Sequence, residues 1–157
     1  MKNLFFAISL LFSGFLMGQN GITPNNEITP PEIVLANFQK EYPNKVPVWS
    51  SEYVGEDNDE IRYIAKFNTI NNSKALAIYN ISGKLKAFVL AIRINQLPGD
   101  ALTYLRRNYP EKAIHEANVV VDDKKQTTYE VGVDKNALFY NIVFDTDGKF
   151  DVIIQKD

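Results

Sequence analysis

Apolar residues between Pro31 and Asp157 follow two periods in turn. Leu35, Phe38 and Tyr42 are spaced by three and four, which places them in one stripe along a helix, and the same spacing returns in Leu102, Leu105 and Tyr109. Each stripe ends in Tyr-Pro, at Tyr42-Pro43 and Tyr109-Pro110. The residue before a proline is pushed out of the α region, so both helices are expected to stop at the tyrosine. Thr29, Pro30 and Glu32 fit a capping box for the first helix, and Asp100 suits the positive end of the second. About 12 residues per helix would give a length of about 18 Å.

After each helix the period drops to two. Strands are predicted near 46–54, 60–68, 74–79 and 84–94, and again near 113–121, 126–133, 137–144 and 149–155, separated by Asn-, Asp- and Gly-rich turns. Connections this short make consecutive strands antiparallel neighbours, because a parallel return needs a crossover of roughly a dozen residues. The predicted fold class is α+β, with an antiparallel sheet, helices on one face and the other face open.

The two halves echo each other. Pro31, Val34, Leu35, Phe38, Tyr42 and Pro43 align with Pro98, Ala101, Leu102, Leu105, Tyr109 and Pro110 at an offset of 67. Tyr63, Ala65 and Phe67 meet Tyr129, Val131 and Val133 at 66, and Tyr79, Gly83 and Lys84 meet Phe144, Gly148 and Lys149 at 65. The drifting offset is what unequal turns between equal elements produce. We therefore expect two α-β-β-β-β repeats, 30–96 and 97–156, in one domain spanning 30–156.

Parity divides the side chains between two faces. Ile61, Tyr63, Ala65 and Phe67, with Tyr129, Val131 and Val133, Tyr140, Ile142 and Phe144, and Phe150, Val152 and Ile154, are expected beneath the helices. The opposite parity holds Ile64, Leu76, Ile78, Phe88, Leu90, Val143 and Ile153 among charged residues, an apolar patch of the kind that marks an interaction surface. On this reading Ile64, Ile78, Phe88 and Leu90, joined by Trp49 and Tyr53 from the first strand, are the candidate partner-binding residues. Serine at Phe88 and Leu90 would then abolish capture while sparing the melt. Two alternatives stand beside it: the strand at 84–94 is central and buried on both sides, or the patch is a homodimer contact. Which face Trp49 occupies is left open by the pattern.

The start of the chain bears on location. Lys2 precedes an uncharged apolar run from Leu4 to Met17 that is too short for a typical membrane span and fits a secretory signal over 1–18, followed by a flexible leader over 19–29. The expected location is periplasmic or secreted, with no membrane attachment after cleavage. With no cysteine, disulfides and thiolate metal sites are excluded. A net charge of −2 with scattered lysines lacks the footprint of a nucleic-acid binder. His115 is the only histidine, which rules out a two-histidine metal site within one chain. Asp145, Asp147 and Gly148 read as a hairpin turn, since a calcium loop would need a third ligand before the glycine and a bidentate Glu beyond it, and neither is present. No cofactor and no catalytic site are expected.

Helix-Tyr-Pro, a strand carrying Trp49, a Tyr-x-Ala-x-Phe strand and an aromatic-x-x-x-Gly-Lys turn, repeated after Leu97-Pro98, resemble the PepSY-like proteins whose fold is like that of the beta-lactamase inhibitory protein. His115 or Glu116 stands where a second tryptophan is expected. The resemblance implies an exported, non-enzymatic module whose sheet face grips a protein or peptide, in the manner of an inhibitor or chaperone. A self-associating envelope structural or stress protein is the alternative.

Overall fold

The computed structural model describes residues 28–55 and 59–156. The signal segment, most of the leader and part of the first turn lie outside those residues. Helix α1 (Glu32–Glu41) is followed by strands β1 (Val48–Val54), β2 (Glu60–Asn68), β3 (Lys74–Asn80) and β4 (Leu85–Ile92). A short 3-10 turn at Ile94–Gln96 leads to α2 (Gly99–Asn108) and then to β5 (Ile114–Asp122), β6 (Thr127–Lys135), β7 (Leu138–Phe144) and β8 (Phe150–Lys156). All eight described strands form one antiparallel sheet in chain order, and β1 and β8 are its edges.

The helices end where the Tyr-Pro rule puts them. Tyr42 and Tyr109 are the C-caps, each donating its N–H to the carbonyl four residues back, Phe38 and Leu105. The start of α1 differs from expectation. Pro31 is the N-cap and no side chain caps the helix, so Thr29 takes no part. With φ already set by its ring, proline enters the helix without a capping bond.

Both helices pack on the same face. Val34 and Phe38 of α1 bury against Tyr63, Ala65, Phe67, Ala75, Ala77 and Tyr79. Ala101 and Leu105 of α2 bury against Ala117, Val131, Val133, Ile142 and Phe144. Aromatic rings fill the first of these cores, with Phe38 edge-on to Trp49 at 5.4 Å and to Phe67 at 5.3 Å. The β3–β4 turn tucks Gly83 beneath α1, and the β7–β8 turn tucks Gly148 beneath α2. Both glycines have positive φ, and both turns close on the Oδ1 of their first residue: Asn80 accepts the Lys84 N–H and the Ser82 hydroxyl, and Asp145 accepts the N–H groups of Asp147 and Lys149. Asp145 is thereby committed to shaping the turn.

Candidate binding face

The face away from the helices is built from alternate residues of every strand: Val48, Ser50 and Glu52; Arg62, Ile64 and Lys66; Lys74, Leu76 and Ile78; Ala87, Val89 and Ala91; Asn118 and Val120; Glu130; Asn141 and Val143; Val152, Ile154 and Lys156. Its middle is buried with no described helix over it. Ile64, Leu76, Ile78, Ala87, Val89 and Val120 form a third core cluster, in which Ile78 is 0% exposed and Ile64 7%. A flat sheet would leave such side chains wet. Here the sheet curls, helped by register shifts beside Ile78, Ile114 and Val143 that add local twist. The curl also brings charges of the two edge strands within range of each other, since Lys156 on β8 acts electrostatically on Glu52 of β1.

This corrects the expectation of an exposed apolar patch. Phe88 and Leu90 lie on the helix side, where Phe88 stacks on Tyr42 at 5.9 Å. The cause is the irregularity in β4: Tyr79 pairs with Leu85 while Ile78 pairs with Ala87, so Lys86 is skipped and the later residues change face. β4 is a central strand, as in the alternative reading, with Ala87 and Val89 buried on one side and Phe88 and Leu90 partly buried against the helix-side core on the other. Serine at Phe88 is now expected to damage the fold. The same kind of shift at Asp151 sends Val152 and Ile154 to the concave side and turns Ile153 to the helix side, the reverse of the sequence assignment. Trp49 faces α1, and Tyr53, on the same side of β1, is exposed. Of the six candidate residues, the structure places only Ile64 and Ile78 on the face away from the helices, both as core.

Charged groups ring the apolar middle. Glu130 is buried and accepts a 2.7 Å hydrogen bond from Asn141 Nδ2. Burial raises its carboxyl above the usual range, against the opposing pull of that bond and of Lys156. Desolvation likewise raises Glu52, opposed by Arg62, Lys156 and Lys66, and raises Glu116, opposed by His115 and Lys74. Lys156 is shifted downward by its own burial. These residues escaped the sequence analysis because a charge on the outer parity of a strand reads as solvated. Only the curvature of the sheet desolvates them.

At the end of this face where β1 and β3 begin, the curl leaves a cleft of about 520 Å³. Its lining includes Val46, Val48, Leu76, Val89 and Ala91, with Lys66, Lys74 and Asn118 as polar members. Val46 is 92% exposed and Val48 71%, so its wall at β1 is an apolar ledge open to solvent. Among the described residues, no group of acids and histidine is arranged to hold a metal, and no helix is long and apolar enough to cross a membrane.

No family model matches the sequence, and no curated protein matches it significantly. Solved structures do match the fold. A Bacteroides eggerthii protein, provisionally described as periplasmic, superposes with a TM-score of 0.70 at 15% identity, over 82% of this chain and 90% of the other. A DUF2874 family protein of Bacteroides uniformis gives 0.66 at 16%, over 81% and 90%. A BLIP-like protein of Bacteroides fragilis gives 0.61 at 16%, over 83% and 89%. The chain therefore has the fold of a BLIP-like protein: a single antiparallel sheet with two helices on one side. At such identities the likeness extends to the fold alone.

Proposed function

We propose that the chain is an exported, non-enzymatic binding module that recognises a protein or peptide with the concave side of its sheet. We assign it to the PepSY-like, BLIP-like group of tandem-repeat proteins acting in the periplasm. The observation that carries this reading is the curled face itself. Its middle is a rigid buried core, and its end is an apolar ledge of Val46 and Val48 beside the cleft, so that the surface offered to a partner is preorganised. The fold of the BLIP-like neighbour and the periplasmic description of another support it.

We further infer that the halves are copies of one unit. α1 and α2 are both ten residues long and start 67 positions apart, and each packs against a positive-φ glycine turn, Gly83 at Ile33 and Asn37 and Gly148 at Pro98 and Ala101. In this scheme the counterpart of Trp49, which pairs with Ala65, is Ala117, which pairs with Val131. The irregularity after Ile114 displaces His115 and Glu116 from that place.

Affinity capture from the native envelope tests the reading. The Val48→Asp variant should lose the partner held by the wild type, while Ile33→Asp, on the exposed side of α1, should retain it. Both should melt within a few degrees of wild type, since exposed substitutions shift stability by roughly 0.5 kcal/mol or less. Loss of the partner in Ile33→Asp with retention in Val48→Asp would overturn the assignment. Sedimentation of the purified chain separates the alternative, because a dimer broken by Val48→Asp would favour self-association.

A further inference from the structure

The cleft between β1 and β5 carries a chemical preference of its own. Two adjacent cross-strand rows form its floor and mouth. One runs Val48, Lys66, Leu76, Val89, and the other runs Asn68, Lys74 and then, beyond β3, Ala91 and Asn118. Its polar side chains are two lysines and two asparagines, and no carboxylate lines it. Asn118 is decisive. It is only 6% exposed and lines the cleft, yet its side-chain amide has no hydrogen-bond partner among the described residues. With no such partner and an opening onto the cleft, this amide is available to a ligand that enters it.

We propose that this cleft is a binding site for a small amphiphile with a single apolar chain and a terminal carboxylate. The apolar chain would lie on Leu76, Val89 and Ala91 against the Val46 and Val48 ledge. The carboxylate would take charge-assisted hydrogen bonds from Lys66 and Lys74 at the mouth, and the Asn118 amide would supply the donor that holds it in place. A volume of about 520 Å³ lies within the range of small-molecule sites, roughly 300–1,000 Å³. A cationic amphiphile would meet two like charges. A neutral one would gain nothing from the positive charge at the mouth. This site shares the Val46 and Val48 ledge with the proposed protein-binding face, but its lining is complete within one chain and its test uses the purified chain alone.

The test is calorimetric titration of the full mature chain with decanoate, decanol and decyltrimethylammonium. Decanoate is expected to bind saturably at one site, with decanol about tenfold weaker and the cation weaker still. Lys66→Ala should weaken decanoate about tenfold while leaving decanol unchanged, and Ala91→Phe should block both by filling the floor. Asn118→Ala should also weaken decanoate. The proposal is overturned if decanoate does not bind, if the cation binds as well as the anion, or if Lys66→Ala leaves decanoate affinity unaltered. Should Ala91→Phe fail to fold, the Lys66→Ala comparison of acid against alcohol still decides the matter.

Discussion

Glu130 and Asp123 place two carboxylates of one chain in opposite regimes, and pH distinguishes them. In the folded chain Glu130 holds its proton to a higher pH than in the unfolded chain, so its contribution is fully present at acid pH and lost as pH rises through the raised value. Glu130→Gln keeps the shape and an acceptor for Asn141 while removing the charge. Its melting temperature should match wild type near about pH 4 and exceed it near about pH 8. Asp123 accepts from Lys84 Nζ and Lys86 Nζ, each at 2.8 Å, and these bonds lower its carboxyl to about 2. Its contribution is present above the ordinary carboxylate value and disappears as pH falls toward about 2. Asp123→Asn should therefore cost stability at neutral pH, by about 1 kcal/mol or less because the Lys84 partner is open to solvent, and cost nothing in strong acid. Urea melts of both variants across pH check the two signs.

The turns and helices carry predictions of the next size. A Cβ at Gly148 would stand 2.6 Å from Pro98 Cβ at a φ of +85°, and one at Gly83 would stand 2.8 Å from Asn37 Nδ2 and 3.0 Å from the Ile33 carbonyl. Gly148→Ala meets rigid proline and backbone, whereas Gly83→Ala also meets a side chain that can move. Both should lose stability by about 2 kcal/mol or more, Gly148→Ala the more. Phe38→Ala, which empties the centre of the aromatic core under α1, should cost about 3–5 kcal/mol in equilibrium denaturation. Elements were the most legible level of the sequence. Spacing and Tyr-Pro located both helices, and turn residues placed all eight strands within a few residues of their ends. Faces were legible only as far as the first irregularity in a strand. Parity counted from Leu85 cannot foresee that the chain skips Lys86, and the count that put Phe88 and Leu90 on the open side fails there for that reason. Trp49 was undecidable by pattern because valines and aromatics alternate along β1.

At the scale of the molecule, the defining feature is one continuous sheet with helices outside and curvature inside. That curvature buries Ile78 without a covering helix, desolvates three glutamates, and leaves the cleft beside β1. None of these follows from residue order, because curl is a cumulative property of eight pairings and their irregularities. Of the six candidate residues, four lie on the helix side and Ile64 and Ile78 are structural, whereas the accessible groups of the proposed site are Val46, Val48, Lys66 and Ala91. The most direct measurement of the central claim is amide hydrogen exchange on the chain alone and with its captured partner. Protection gained in β1, in β2 and β3 near Lys66 and Leu76, and around Ala91 and Asn118, with none in α1 or α2, is the predicted result. New protection confined to the helices, with the concave face unchanged, would contradict it.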